Sequence, residues 1–166
     1  MAEALLITRA DLVRFSAVSG GTDTDKFIQF IKIAQDIHVQ NYLGTDLFNK
    51  IKTEIEAGTL ADPYLSFLED YVKPMHIHWA MVEYLPFSAF TLSNKGVFKH
   101  SSENSVNADL SEIEMLTQKE RNTAKYYTDR MIEYLCDNQS DFPEYNTNSN
   151  SDVYPDKDAF KSNWFL

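Results

Sequence analysis

Cysteine and long apolar runs are nearly absent from this sequence. The one cysteine among 166 residues is Cys136, which excludes an internal disulfide framework and fits folding in a reducing, cytoplasmic compartment. Because Cys136 lies in an apolar helical pattern, we expect a buried thiol. The most apolar stretch, residues 75–92, is interrupted by histidine, glutamate and proline, so we expect no membrane span. Residues 1–7 lack the basic and apolar regions of an export signal.

Basic residues are also scarce. The chain has 15 Lys and Arg against 25 Asp and Glu, a formal net charge of −10. Such a surface repels nucleic-acid phosphates and anionic membranes, although DNA could still slide past it without binding. Aromatic residues are abundant instead, with 11 Phe, 9 Tyr and 2 Trp. Large rings dominate both core and interface energetics, so some of them could face partners.

Helix signals predict an all-α fold, a small bundle of about five helices. Thr8 and Asp11 have the spacing of a capping box for a first helix over about 9–18. A second helix is predicted between Thr24 and Gly44. Its apolar stripe is expected to face the core: Phe27, Phe30, Ile31, Ala34, Ile37 and Tyr42.

Caps and breakers predict the remaining helices. Thr45 is expected to cap a third helix that Gly58 closes. Asp62-Pro63 marks the start of a fourth helical region, which Pro74 and Pro86 should kink or break into two or three pieces before Ser93. The last helix, about 109–138, is long for a domain of this size, so part of it could pack on a neighbouring chain.

Two segments differ in character from the helices. A polar insertion at about 94–108 contains a candidate strand, Gly96-Val97-Phe98-Lys99, and a loop rich in Ser and Asn. We expect it to form a projecting polar loop or a short hairpin. This organisation predicts a helical domain over 1–138 and an extended arm over 139–166. The arm combines a polar linker with the apolar residues Phe160, Trp164, Phe165 and Leu166. It could order on a partner or fold back on its own core.

No residue pattern predicts catalysis. His76 and His78 are two positions apart, so on a helix they point to nearly opposite sides and cannot share one metal ion. Acidic pairs lie near predicted helix starts, where they favour the helix dipole. We therefore expect no catalytic, cofactor-binding or metal site, and a protein that is not an enzyme.

The order of these features resembles a known class of proteins. The resemblance rests on the opening helix Ile7-Thr8-Arg9-Ala10-Asp11-Leu12, on Asn41-Tyr42-Leu43-Gly44-Thr45-Asp46-Leu47, and on the insertion that starts Asn94-Lys95-Gly96-Val97. The last helix ends Tyr134-Leu135-Cys136-Asp137-Asn138, and Phe142-Pro143-Glu144-Tyr145 comes after it. In this layout the chain resembles the head–tail connector (adaptor, or head-completion) proteins of tailed bacteriophages. It is most similar to those of crAss-like and other Bacteroidetes phages.

The resemblance implies a virion structural protein located at the capsid vertex. Such proteins form a ring, commonly of twelve copies, beneath the portal protein, where the ring extends the DNA channel toward the next ring or the tail. The partners implied are further copies of the chain, the portal and tail proteins. DNA would pass without specific binding, and no membrane would be involved. Contacts are expected from residues 96–107, including Gly96, Val97, Phe98 and Lys99, and from Trp164, Phe165 and Leu166.

Two other interpretations of the sequence remain open. A small acidic helical module that binds or inhibits a basic protein partner would use the same surface charge. A helical enzyme would use His76, His78 and nearby acids. Subunit number, the position within a stack of rings and the partner of the arm cannot be deduced from the sequence.

Overall fold

The first helix begins at a capping box. In the computed structural model, which describes residues 4–18, 25–88, 90–93, 96–99 and 109–158, α1 spans Arg9–Phe15. The Thr8 side chain accepts a hydrogen bond from the Asp11 backbone, and the Asp11 side chain accepts one from Thr8 in return. The predicted cap is confirmed, but the helix ends at Ser16 rather than near Val18.

The second helical segment is continuous but changes type. It consists of α2 (Asp25–Ala34), a π-helical turn (Gln35–Val39) and α3 (Gln40–Leu43). A π turn uses more residues per turn than an α-helix, so it rotates the face that the residues after it present. Ile37, predicted to face the core, is therefore 57% exposed, whereas Gln35 and Val39 are buried. The predicted cap Thr24 lies outside the described residues.

Two glycines with positive φ bound α4 (Thr45–Ala57). Gly44, φ 75°, separates α3 from α4, and Gly58 closes α4 as predicted, with φ 66° in the left-handed conformation. The structure places the N-cap of α4 at Gly44, so the prediction that Thr45 caps this helix is wrong. The Thr45 side chain instead contacts the C-terminal segment.

The fourth helical segment also contains a π turn. It consists of α5 (Tyr64–Phe67), a π-helical turn (Leu68–Val72) and α6 (Lys73–Ser88). Neither proline breaks it: Pro74 comes just after the π turn, and Pro86 lies in the last turn of α6. The wider π turn makes room for the Pro74 ring, which would clash with a carbonyl four residues earlier in a regular α-helix.

A β-hairpin and the longest helix complete the fold. Strand β1 (Phe90–Ser93) pairs antiparallel with β2 (Gly96–Lys99), with Phe90 opposite Lys99 and Ser93 opposite Gly96. The predicted strand and the predicted short hairpin are confirmed, but β1 occupies residues 90–93, which had been expected to end the fourth helical region. Helix α7 (Leu110–Asp137) begins at an Asp109 capping box, which agrees with the predicted boundary. Apart from one short 3₁₀ helix, the described residues thus contain five continuous helical segments and one hairpin, the predicted all-α bundle with an insertion.

The core centres on α6, which packs against α7 and α2. Its seven buried residues explain why α6 is apolar on most of its surface. The Trp79 indole N–H donates to Thr128 Oγ1 at 3.0 Å, which joins α6 to α7 inside the core. A short 3₁₀ helix, Pro143–Asn146, comes after α7, and Phe142 and Tyr145 are fully buried in the same core.

The cysteine is not buried as predicted. Cys136 is exposed, whereas the helical pattern predicted a buried thiol. Leu135 is fully buried, and successive residues on a helix are turned about 100° from each other, so Cys136 turns away from the core.

Candidate assembly surfaces

The first half of α7 carries apolar side chains that the domain leaves uncovered. Leu110, Met115 and Leu116 are 57%, 66% and 48% exposed. Leu110 lies on the side of the helix that Ala124, Met131 and Leu135 bury farther along, Leu116 lies at the edge of that side, and Met115 lies opposite it. Ile113, between them, is buried, so this end of the helix packs on the domain with one side and exposes apolar side chains on its other sides.

An open groove runs beside this end of α7. It has a volume of about 720 Å³ and lies between the C-terminal end of α6, the start of β1 and the first turns of α7. Pro86, Phe90, Leu110 and Ile113 form its apolar part. Glu114 and Arg121 also line it and supply one charge of each sign. We call it the α7 groove; its size suits the burial of one or two large side chains.

The second candidate surface is formed by the C-terminal segment folded onto the start of α4. The N–H of Thr45 donates to the Val153 carbonyl at 2.9 Å, and the N–H of Asp156 donates to the Asn41 carbonyl at 2.9 Å. Pro155 lies over Gly44, where an added Cβ would be 2.5 Å from the proline Cγ. We call the contact of residues 147–156 with residues 41–46 the clasp.

Two polar side chains of α4 bind the clasp. The buried hydroxyl of Thr45 donates to Asp152 at 3.0 Å and accepts from the N–H of Val153 at 3.1 Å. The Asp46 carboxylate accepts from the Thr147 hydroxyl at 2.6 Å and from the N–H and hydroxyl of Ser149 at 2.9 and 2.7 Å. These bonds, led by that from Thr147, lower the pKa of Asp46. They satisfy the polar residues of a segment whose composition alone would not order it.

A smaller, acidic groove lies on the side of the domain formed by α1, α6 and α7. Its volume is about 320 Å³, and Asp11, Glu69 and Asp70 line it together with Lys73 and His78. The Lys73 ammonium pairs with Glu69 at 2.7 Å and with Asp11 at 3.5 Å. Three carboxylates and one lysine thus line this groove, which leaves an excess of negative charge there.

The two histidines singled out in the sequence have separate environments. His76 is fully buried, and its Nε2–H donates to the Ile31 carbonyl at 3.0 Å. Burial lowers the pKa of His76 to about 4, so the ring is neutral near neutral pH. His78 donates from Nδ1 to Glu120 at 2.7 Å and stacks on Tyr127. Within the described residues, no cluster of three or more His, Cys, Asp or Glu side chains could hold a metal ion.

A third histidine was not singled out in the sequence. His38, in the first π turn, donates to Glu83 at 2.8 Å and stacks on Trp79 with ring centroids 3.9 Å apart. Burial lowers the pKa of His38, although Glu83 opposes that shift. The pairs His38–Glu83 and His78–Glu120 join α6 to two neighbouring elements, which gives both histidines a structural role.

The predicted contact residues fall in two places. Gly96, Val97, Phe98 and Lys99 form β2 of the hairpin, and β1 begins at Phe90, which lines the α7 groove. Trp164, Phe165 and Leu166 lie outside the described residues, as do residues 100–108. Thr45 and Asp46 were not predicted as contact residues; the only signal was their position beside Gly44, where the chain turns sharply.

Taken together, these features define a small acidic helical domain with an apolar groove and a clasped C-terminal segment. Among the described helices, none is both long and apolar enough to cross a membrane. The chain belongs to a family of unknown function, DUF6712, whose model matches residues 39–155. That range starts five residues before Gly44 and ends at Pro155, so it includes all of the clasp except Asp156. No curated protein and no solved structure matches the chain.

Proposed function

We propose that this protein is a structural subunit that assembles, copy beside copy, into a ring joining the capsid of a tailed phage to its tail. The observation that carries the proposal is the exposed apolar end of α7, where Leu110 lines the α7 groove and Met115 and Leu116 are exposed on the same turns of the helix. Apolar side chains exposed together on an otherwise acidic domain mark a surface that a partner covers. A second copy of the chain is the partner that the ring requires.

A closed ring repeats one heterologous contact, in which one surface of each copy meets a different surface of the next. The α7 end and the hairpin would form one side of that contact. Large permanent interfaces are more apolar than transient ones, which suits the aromatic content of the chain. The net charge of −10 would let DNA pass through a central channel, because such a wall offers few cations to replace the counterions of DNA.

Assembly mass tests the proposal directly. The molar mass of the full chain, measured in solution alone and with its candidate portal protein, should be a large multiple of 19.1 kDa in at least one of the two conditions. Leu116→Glu should abolish that assembly, because it places a charge in the contact. Leu65→Glu is the matched control: Leu65 is 41% exposed against 48% for Leu116 but lies on α5, away from the groove. A wild-type chain that stays a monomer or dimer in both conditions contradicts the ring.

The acidic groove favours a second candidate function, a module that binds a basic protein partner. Asp11, Glu69 and Asp70 face one lysine there, so an incoming Lys or Arg would improve the charge balance. Asp70→Asn distinguishes the two functions. If the protein is a binding module, the change should weaken its binding to a basic partner. If the protein is a ring subunit, the change should leave assembly through α7 intact.

A further inference from the structure

The clasp fixes the position of the chain just before residues 159–166, and we call this position the exit point. Residues 153–156 are held by Thr45, Gly44 and Asn41. Residues 159–166 continue from there with the sequence Ala-Phe-Lys-Ser-Asn-Trp-Phe-Leu. Half of these residues are large and apolar, and Lys161 carries the one side-chain charge. A segment with this composition gains free energy by burying its rings in an apolar site.

The α7 groove has the properties of such a site. It is apolar at Pro86, Phe90 and Ile113, and its volume of about 720 Å³ is large enough for the rings of Trp164 and Phe165. Glu114, which also lines the groove, supplies a carboxylate for Lys161.

Distance along α7 separates this groove from the exit point in the same copy. Asp156 and Asp129 both lie close enough to Tyr42 to raise its pKa, so the exit point lies beside the C-terminal half of α7. Thr117 and Glu114, in the groove, are 12 and 15 residues before Asp129, or about 18–22 Å at 1.5 Å per residue. The eight residues from 156 to 164 span at most about 26–29 Å when fully extended. Trp164 could therefore reach its own groove only if most of this segment were extended along α7.

We propose that the α7 groove receives residues 159–166 of a neighbouring copy, so that each subunit is held by the C-terminal segment of the next. This inference rests on the proposed function, since it assigns an occupant to the groove of a self-assembling subunit. It makes the contact head-to-tail: the segment that leaves the clasp of one copy and the groove of the next are different surfaces, as a closed ring requires.

Disulfide trapping between two full-length variants tests the occupant. Both carry Cys136→Ser, because the native thiol is exposed. One also carries Asn163→Cys, in the segment, and the other Gln118→Cys, which lines the groove. When the two variants are mixed and oxidised, they should form a linked species of two chains, with twice the 19.1 kDa mass of one chain. Asn163→Cys mixed with Glu133→Cys, an exposed position farther along α7, is the control and should give at least tenfold less of that species.

A second pair of measurements separates this inference from the proposed function. Trp164→Ala should raise the concentration needed for assembly about tenfold or more, as expected when an aromatic residue central to a contact is lost. If the wild-type chain assembles but no linked species forms, the segment does not occupy the groove, and the ring proposal stands. If a chain carrying both cysteines links only within itself, the segment occupies its own groove, and the inference is overturned. If the wild-type chain does not assemble and the cysteine variants do not link, both proposals fail.

Discussion

Pro155 lies against Gly44, so close that a Cβ added at residue 44 would be 2.5 Å from the proline Cγ and 2.6 Å from its Cδ. Gly44 also has φ 75° and ψ 157°, a backbone conformation that is nearly exclusive to glycine. Residue 44 must therefore be glycine for two reasons: its own backbone conformation, and the close packing of Pro155 against it.

Gly44→Ala should accordingly destabilise the domain by about 3 kcal/mol or more, since backbone strain and the clash with Pro155 add. Gly58→Ala is a matched control, because Gly58 also has positive φ but has no atom within 4 Å of an added Cβ. We expect a cost of about 1 kcal/mol there. Chemical denaturation gives both values, and equal costs would show that the contact with Pro155 contributes nothing.

Thr45→Val should open the clasp. Valine has nearly the same shape as threonine but would leave the Val153 N–H, the Asp152 carboxylate and the Gln40 amide without the hydroxyl they now share. We expect a loss of about 1–3 kcal/mol and faster amide exchange at Val153. Thr123→Val, which removes only a bond to its own helix, should change little. Unchanged exchange at Val153 in Thr45→Val would show that the hydroxyl does not hold the segment.

Phe142→Ala should cost about 3–5 kcal/mol, the usual range for removing a buried ring. Phe142 is fully buried and packs on Phe67, Tyr64 and Tyr134. Tyr126→Ala is the control, because that ring is 64% exposed and its loss should fall within about 0.5 kcal/mol. Thermal or denaturant unfolding distinguishes the two; a small effect of Phe142→Ala would place residues after 138 outside the folding unit.

Stability should fall on acidification because of His76. Its pKa is lowered from 6.5 to about 4 by burial, so the unfolded chain binds the proton more tightly than the folded one. The folded state is therefore fully favoured above pH 6.5 and loses stability as the pH falls toward 4. For His76 alone the loss between pH 7.5 and 5 is about 2 kcal/mol.

The pH dependence can be assigned by substitution. His38, which contributes to the low pKa of His76 and whose own pKa is lowered by burial, adds a loss of the same sign. The free energy of unfolding should be measured between pH 7.5 and 5 for the wild type and for His76→Gln. On acidification it should fall less steeply in the variant than in the wild type. Parallel curves would show that His76 does not titrate on unfolding.

The helices were predictable because their signals are local. Capping boxes at Thr8 and Asp109, and the glycine that closes α4, each depend on a few neighbouring residues. The exposure of Ile37 was not predictable, because it results from a π turn that no short pattern marks. The clasp joins residues more than 100 positions apart, and the burial of Thr45 leaves no periodic signal. The exposed apolar end of α7 was foreseen only as the excess length of a helix.

The two π-helical turns have a consequence for how chains of this family could vary in length. Each turn accommodates one residue more than the α-helical turn that would replace it. A relative lacking one residue between 35 and 39 would keep an unbroken helix but rotate one half relative to the other by about 100°. The position equivalent to Ile37 would then approach the core, and the partner of His38 on α6 would change. Single-residue deletions at these two places, rather than in the loops, would therefore be the changes that reshape the interior.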